Sequence, residues 1–235
     1  MKERLLLPEL MDNPAIDPLE HQRALAGLRR INWVCRAGTH LTSEIESIAI
    51  TRQMNSFSVL DIGCGSGDIV ISVTKSLSSR FECHSEGWDI SETACQTASH
   101  SAQHHVWPVT SSSVCFREVD IFNPPEVQFD FVYCCLFLHH FSNEAAIQVM
   151  SQMKQLAKVA VIVDDLRRTS LGLLMAKIGC YGLSRSPVVH YDGPQSVRAA
   201  FSQAEVLRLA TEAGLDNAKI RRHWPQRYLL TWQHS

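Results

Sequence analysis

The amino-acid sequence predicts an α/β fold in which seven strands form a mostly parallel sheet with helices on both faces. Two observations predict it. After residue 56, short apolar runs of strand length alternate with longer segments whose apolar residues recur at helical spacing. A glycine-rich turn at residues 63–67 joins the first of these strands to the first helix. Turns of this type hold ligands at the carboxyl edge of a parallel sheet.

The elements of this alternation follow in order along the chain. Strands are expected near residues 57–62, 81–88, 113–119, 129–135, 158–164, 216–222 and 226–232. Helices are expected between them, near residues 67–79, 91–105, 143–157 and 203–214. Ser91 and Asn143 are suitable helix starts, because their side chains accept hydrogen bonds from the free N–H groups of a first turn. Gly214 is a suitable helix end.

Two segments lie outside the alternation. The first, residues 1–52, is expected to form an N-terminal helical cap, because apolar residues recur at helical spacing within residues 17–52. The second, residues 170–200, is an insertion after the fifth strand and is too long for an ordinary connection, so we expect a lid over the substrate site. Residues 53–235 then form the ligand-binding domain that contains this lid. Together the two segments would cover the carboxyl ends of the strands.

Composition and charge disfavour several classes of partner. The chain has 235 residues, of which 45% are hydrophobic and 20% charged, and its formal net charge is -2. It therefore lacks the broad basic surface that binds nucleic acid or anionic membranes, and a small-molecule partner is favoured. The leucine run before Pro8 is too short for an export signal, and no apolar run is long enough to span a membrane.

Cysteine and histidine usage bears on location and on metal binding. The eight cysteines form no C-x-x-C pair and lie mostly in apolar runs. Free cysteine in such runs behaves as a small hydrophobic residue, so we expect reduced core thiols in a cytoplasmic protein. The adjacent residues His139 and His140 would point to different faces of a helix and are not a good metal site alone. No metal ion is expected.

The chemistry of the glycine turn indicates what kind of ligand it holds. Gly63, Gly65 and Gly67 stand at alternate positions, whereas a dinucleotide site needs the spacing G-x-G-x-x-G. Asp68 occupies the place of the missing glycine, and a carboxylate at a helix N-terminus would repel a pyrophosphate. Asp61, at the end of the strand, adds a second carboxylate. The turn therefore favours a cationic ligand without phosphate, and the alternative is a glycine turn that holds no ligand.

Residues 59–68 read VLDIGCGSGD, which resembles motif I of the class I S-adenosylmethionine-dependent methyltransferases, a family with a Rossmann-like fold. The cofactor of that family carries an ammonium and a sulfonium group and no phosphate. The resemblance implies that Asp89, at the end of the second strand, binds the ribose hydroxyls and that Ile90 packs on adenine. It also implies that Asp120, followed by Ile121, binds the adenine amino group. The alternatives are a helix N-cap for Asp89 and a turn for Asp120.

Residues 129–141 read FDFVYCCLFLHHF and resemble the fourth strand of the methyltransferase type 11 group, which includes methyltransferases of ubiquinone and menaquinone biosynthesis. The resemblance implies that Cys135 and Leu136 cover the adenine and methionine portions of the cofactor. His139 or His140 near the transferred methyl group would be a general base, since histidine titrates near neutrality. The alternative is that both histidines support the loop. In the insertion, His190 with a nearby acid is another candidate base.

Residues 17–32 add a further resemblance, to a lead-in of bacterial methyltransferases encoded beside polyketide genes, which implies a phenolic or polyketide-derived acceptor. We therefore predict an S-adenosylmethionine-dependent methyltransferase that acts on oxygen or carbon of a small aromatic, polyketide or quinone-like molecule. Nucleic-acid or protein methylation is an alternative, disfavoured by the charge and because Asn123-Pro124-Pro125 precedes the fourth strand instead of following it. A non-catalytic cofactor-binding module is another alternative. The oligomeric state stays open, with a homodimer among the possibilities.

These interpretations define a set of site residues. The predicted cofactor contacts are Asp61, Gly63, Cys64, Gly65, Gly67, Asp68, Asp89, Ile90, Asp120, Ile121, Cys135 and Leu136. The predicted catalytic residues are His140 and His190, and no metal ligand is predicted.

Overall fold

The structure of the protein is a computed structural model. It describes residues 1, 3–13, 15–103, 105, 107–108 and 111–234, with the backbone only at residue 12. The predicted N-terminal cap and the predicted helix at residues 91–105 each include positions outside these ranges.

Within the described residues, seven strands form one sheet. They are β1 (Ser56–Ile62), β2 (Glu82–Asp89), β3 (Ser113–Glu118), β4 (Phe129–Cys135), β5 (Ala157–Leu166), β6 (Lys219–His223) and β7 (Arg227–Gln233). Their order in the sheet is β3-β2-β1-β4-β5-β7-β6. The first five strands are parallel, and β7 is antiparallel to both of its neighbours. The predicted fold class is confirmed, and each predicted strand is present near its expected position.

Helices precede the sheet, connect its strands and form the insertion. They are α1 (Pro18–Val34), α2 (Thr39–Thr51), α3 (Asp68–Leu77), α4 (Glu92–Ala102), α5 (Asn143–Leu156), α6 (Ser170–Leu183), α7 (Pro187–Ala199) and α8 (Gln203–Glu212). Ser91 caps α4 as predicted, whereas α5 is capped by Ser142, one residue before the predicted Asn143. None of the helices in the described part of the chain is long and apolar enough to cross a membrane.

The sheet is packed on both faces. Along β4, Phe131 and Tyr133 pack in the core that contains α2 and α3, and Val132 and Cys134 pack in the core that contains α5 and α8. All four side chains are fully buried. Continuous apolar strands of this kind are typical of parallel sheets covered on both faces. The covering helices leave the carboxyl ends of the strands as the place for a ligand.

The insertion after β5 is helical. Thr169 caps α6 by accepting a hydrogen bond from the N–H of Gly172. Pro187 begins α7 at the first helical position, where its missing N–H is not needed. Because α7 continues through Pro194, a residue type that interrupts most helices, the sequence pattern did not predict it.

The N-terminal segment, residues 3–13, lies across α7 and the loop after β4. The guanidinium of Arg4 donates to two backbone carbonyl oxygens just after β4. Near the other end of the segment, the N–H of Leu10 donates to the buried carboxylate of Asp192 in α7 at 2.8 Å. Glu9 lies between these anchors and is thereby brought to the carboxyl edge of the sheet.

Candidate functional site

The glycine turn between β1 and α3 is shaped by left-handed backbone. Gly63 and Gly65 have φ angles of +70° and +52°, which residues with a side chain rarely adopt. The N–H groups of Gly63 and Cys64 both donate to the carbonyl of Trp88, which ties the turn to the end of β2. A Cβ atom on Gly63 would clash with the Phe137 ring, whereas one on Gly65 would meet nothing within 4 Å. The turn therefore leaves open space beside Gly65, where a ligand can approach the backbone.

Asp61, just before the turn, is a buried carboxyl with 1% of its surface exposed. Its Oδ1 atom accepts no hydrogen bond from any residue that the structure describes. Burial raises the pKa of this carboxyl well above its usual value. The neighbouring Tyr133 hydroxyl lowers the pKa, and the carboxylates of Asp68 and Asp89 raise it. A positively charged group beside Asp61 would offset the effects of burial and of the two carboxylates. The position therefore fits the ammonium group of S-adenosylmethionine.

Asp89 and Ile90 lie at the end of β2, beside the glycine turn. Asp89 accepts hydrogen bonds from the N–H of Gly65 at 2.8 Å and from the N–H of Ser91 at 2.9 Å. Ser91 itself caps α4, so the alternative role of Asp89 as the helix N-cap does not apply. Ile90 leaves 72% of its surface exposed, and its apolar side chain is available to a ligand. Both residues fit the predicted contacts with ribose and adenine.

Asp68 connects the N-terminal cap to the glycine turn. Its carboxylate accepts hydrogen bonds from the side-chain amide of Asn32 in α1 and from the hydroxyl of Ser66, each at 3.0 Å. Asp68 therefore orders the turn and holds α1 against it, and a direct contact with the cofactor stays a prediction.

Asp120, in the connection after β3, has the turn geometry that was the alternative to a cofactor contact. Its carboxylate accepts hydrogen bonds from the N–H of Phe122 at 2.9 Å and from the side-chain amide of Asn123 at 3.2 Å. Ile121 is buried in the core that contains α5 and α8. These contacts account for the turn after β3. Contacts of Asp120 and Ile121 with adenine stay predictions.

The chain takes a left-handed conformation directly after β4. Leu136 has a φ angle of +56°, which costs a residue with a side chain about 1–2 kcal/mol. Its N–H donates to the carbonyl of Asp164 at 2.9 Å, and this hydrogen bond holds the conformation. The preceding residue, Cys135, accepts a hydrogen bond on Sγ from Arg227. Backbone outliers concentrate at functional sites, which agrees with the predicted position of Cys135 and Leu136 at the cofactor.

Asp164 and Arg227 form a buried ion pair beside this loop. Arg227 Nε and His223 Nε2 each lie 2.9 Å from the same carboxylate oxygen of Asp164. Burial would lower the pKa of Arg227, but the Asp164 carboxylate more than offsets this, and the pKa is raised. Asp164 is therefore neutralised within the chain.

A second polar group lies at the carboxyl ends of β4 and β5. Nδ1 of His139 is 2.7 Å from Oδ1 of Asp165, and the backbone N–H of His139 donates to Oδ2 at 3.0 Å. Both side chains are buried. Burial alone would raise the pKa of the Asp165 carboxyl, but the charge and hydrogen bond of His139 hold the pKa below its usual value. Because Asp165 engages Nδ1, the imidazole presents Nε2 for other chemistry.

Glu9, from the N-terminal segment, covers both histidines. Its Oε1 atom lies 3.8 Å from Nε2 of His139, and Oε2 lies 4.0 Å from Nε2 of His140. The hydroxyl of Ser196 in α7 donates to Oε1 at 2.6 Å. The sequence patterns did not predict Glu9, because the segment before α1 has neither helical nor strand periodicity. Only the fold brings it to His140, a predicted catalytic residue.

His190, the other predicted catalytic residue, makes its contacts elsewhere. Its Nε2 atom is 2.7 Å from the carbonyl oxygen of Ser184, and its ring stacks on Tyr181 with centroids 4.1 Å apart. Both contacts hold α7 against the end of α6. The structure does not bring His190 together with His140, and a catalytic role for His190 stays a prediction.

Part of the chain matches a known family. Residues 59–159 match the family model described as a methyltransferase domain. The matched residues run from within β1 to within β5, and they include the glycine turn, Asp89 and both histidines after β4. No curated protein sequence matches the chain.

Several solved structures share the fold. Magnesium protoporphyrin IX methyltransferase (ChlM) from Synechocystis PCC 6803, with bound S-adenosylmethionine, has a TM-score of 0.59 and 18% identity, over 95% of this chain and 100% of that one. The plantazolicin methyltransferase BpumL, in complex with a desmethyl analogue and S-adenosylhomocysteine, has a TM-score of 0.63 and 18% identity, over 92% and 96%. An O-methyltransferase family 2 protein from Planctomyces limnophilus, in complex with apigenin, has a TM-score of 0.62 and 12% identity, over 95% and 63%. At these identities the likeness shows a shared fold.

A pair of glycine variants tests whether the open space at the turn holds the cofactor. Gly65→Ala should cost about 1–2 kcal/mol of stability through its left-handed backbone, keep the fold, and weaken S-adenosylmethionine binding at least about tenfold, or about 1.4 kcal/mol. Gly63→Ala should lose more stability, because its Cβ also meets the Phe137 ring. Urea unfolding and calorimetric titration measure the two effects. Wild-type affinity in Gly65→Ala would contradict a ligand at this turn.

Replacing Asp61 tests the charge of the ligand. Asp61→Asn should weaken cofactor binding by about 1.5–3 kcal/mol, the contribution of a hydrogen bond to a charged group. Because the raised pKa favours the neutral carboxyl, wild-type affinity should fall as the pH falls through that pKa. The affinity of Asp61→Asn should lack this pH dependence.

The raised pKa of Asp61 also predicts how Asp61→Asn changes the thermal stability of the cofactor-free protein. A carboxyl whose pKa is raised on folding opposes folding when it is ionised at higher pH, so Asp61→Asn should unfold at a higher temperature than wild type near neutral pH. Calorimetric titration from pH 5 to 8, together with thermal unfolding, checks both expectations. Equal affinity of both proteins across this range would show that Asp61 does not contact a cation.

Proposed function

We propose that this chain, which carries a class I S-adenosylmethionine-dependent methyltransferase domain, transfers the methyl group to oxygen or carbon of a small apolar acceptor of aromatic, polyketide or quinone type. One contact carries the proposal. The Phe137 ring packs directly on Gly63, so the loop that bears His139 and His140 rests on the cofactor turn. The methyl donor and a candidate base therefore share one site.

The residues around the glycine turn suit the binding and orientation of the donor. S-adenosylmethionine supplies an electrophilic methyl group on a positively charged sulfur atom. Asp61 would hold its ammonium group, Asp89 would accept hydrogen bonds from the ribose hydroxyls, and Ile90 would pack on adenine. Holding two reactants in line contributes about 7–11 kcal/mol in well-aligned systems. Orientation by these residues is therefore the main catalytic contribution that we propose.

An acceptor hydroxyl must also lose its proton during transfer. His139 is suited to take it, because Asp165 holds Nδ1 at 2.7 Å and would stabilise the imidazolium. The hydroxyl proton would go to Nε2 as the oxygen forms its bond to the methyl carbon and the carbon–sulfur bond breaks. Glu9 covers this nitrogen at 3.8 Å, so the acceptor reaches it only when the N-terminal segment moves.

The apolar insertion supports an apolar acceptor. Leu171, Leu174, Ile178 and Tyr181 recur along α6 at intervals of three or four residues, and all four are exposed. The helix begins a few residues after the carboxyl end of β5, where the acceptor would bind. The small-molecule complexes of the plantazolicin methyltransferase and the apigenin-bound protein agree with such an acceptor.

A cytoplasmic location is part of the same proposal. All eight cysteines of the sequence are free thiols in the structure, and most are buried. Proteins with many reduced cysteines are typical of reducing compartments.

An acceptor panel with matched variants tests the proposal. Wild-type protein with labelled S-adenosylmethionine should methylate at least one small phenol, polyketide fragment or quinol, and should not methylate tRNA or protein. Asp165→Asn should lower kcat for a hydroxyl acceptor by about 10²–10⁴, the usual contribution of a general base, while cofactor affinity stays unchanged. Glu144→Gln, at the exposed start of α5, is the control and should retain wild-type turnover.

Two results would overturn the proposal. Turnover of tRNA or protein without any small acceptor would refute the acceptor class. Wild-type kcat and an unchanged pH profile in Asp165→Asn would refute the role of the imidazole pair. Cofactor titration of each variant confirms that it is folded.

A further inference from the structure

We propose that Glu9, His139 and His140 form a binding site for one divalent transition-metal ion of the zinc class. Each residue offers one ligand atom, and the three atoms all lie within 4.8 Å of one another. His139 is buried, and Glu9 and His140 are partly buried. The residues come from two distant parts of the chain, the N-terminal segment and the loop after β4.

The distances suit an ion after a small adjustment. Atoms bound to one zinc ion at about 2.1 Å lie at most about 4.2 Å apart, and about 3.4 Å apart in a tetrahedral site. The two carboxylate-to-imidazole distances are 3.8 and 4.0 Å. These two distances go to different oxygens of Glu9, and the three ligand atoms lie within 4.8 Å of one another. Rotations that draw Glu9 and the two rings together by about 0.5–1.5 Å would therefore complete the coordination. Two imidazole nitrogens and one carboxylate oxygen favour zinc and its neighbours over magnesium or calcium, which prefer oxygen ligands alone.

Neighbouring side chains orient two of the three ligands. Asp165 lies 2.7 Å from Nδ1 of His139 and also accepts the backbone N–H of that residue, which leaves Nε2 directed at Glu9. A carboxylate that holds the far nitrogen of a histidine is the usual partner of a metal-bound imidazole. The hydroxyl of Ser196 holds Oε1 of Glu9 at 2.6 Å. Both ligands are therefore positioned before any ion arrives.

The charges also match a divalent ion. Glu9 and Asp165 bring two carboxylates to a site where their side chains are 10% and 1% exposed. Buried carboxylates need compensating positive charge. Arg4 is nearby, but its guanidinium is hydrogen-bonded to backbone carbonyl oxygens after β4. An ion between Glu9 and the histidines would compensate Glu9 directly, whereas Asp165 is already paired with His139.

Metal binding would have a mechanical consequence. Because Glu9 belongs to the N-terminal segment, an ion shared with His139 and His140 would fasten that segment over the end of β4. The segment covers the nitrogen proposed to serve as the base, so bound metal would close the acceptor site, and its release would open the site.

Titration of the full-length protein tests the site without cofactor or acceptor, so the outcome is independent of the proposed function. Chelator-treated protein should bind one equivalent of Co²⁺, with the visible absorption of a nitrogen- and oxygen-ligated ion, and Zn²⁺ should displace it. Asp165→Asn removes the carboxylate that holds a metal-binding imidazole, and we expect it to lower metal affinity about 10- to 100-fold. Glu9→Gln and His140→Ala, which remove ligands, should lose at least that much.

His84→Ala is the matched control, because His84 forms an exposed histidine–glutamate pair with Glu82 at 3.5 Å. It should bind cobalt as wild type does. A wild-type circular dichroism spectrum and a cooperative thermal unfolding transition in each variant establish that the fold is intact, so a loss of metal binding in Glu9→Gln supports the site. Absence of saturable binding by wild type, or equal binding by wild type, Glu9→Gln and His140→Ala, would overturn the proposal.

Discussion

Three carboxyl groups buried at one edge of the sheet determine much of the surrounding structure. Parallel strands place their carboxyl ends together, and Asp61, Asp164 and Asp165 lie there almost without solvent. A buried carboxylate is tolerated only with a positive or hydrogen-bonding partner. Asp164 is paired with Arg227 and Asp165 with His139. Asp61 has an oxygen that accepts no hydrogen bond from the described residues, and the partner that we propose for it is the cationic end of the cofactor.

These buried carboxyl groups also connect the proposed cofactor site to the proposed acceptor site. The glycine turn follows Asp61, and Phe137 packs on that turn. The loop that begins with the left-handed residue Leu136 then carries His139 to Asp165. The proposed cofactor contact and the proposed base therefore lie on adjacent strands, and Glu9 covers the base. The proposal for the methyl donor rests on the matched methyltransferase domain and its glycine turn, whereas the proposal for the acceptor rests on the N-terminal segment and α6.

The sheet and the cofactor turn could be predicted from the sequence because local signals define them. Buried strands appear as apolar runs, and the left-handed positions of the turn are glycines. Helix α7 could not be predicted, since Pro194 interrupts its pattern. Glu9 could not be predicted either, because its role depends on contacts with residues far away in the chain. Asp120 is an acidic residue at the position predicted to bind the adenine amino group, but its carboxylate accepts hydrogen bonds within a turn.

The central claim is that Asp61 receives the cationic end of the cofactor. A crystal structure with S-adenosylhomocysteine bound tests it most directly. We expect the amino nitrogen of the ligand at hydrogen-bond distance, about 2.7–3.2 Å, from the Asp61 carboxylate, with the ribose hydroxyls on Asp89. A ligand whose amino group lies away from Asp61 while that carboxylate stays without a partner would contradict the account.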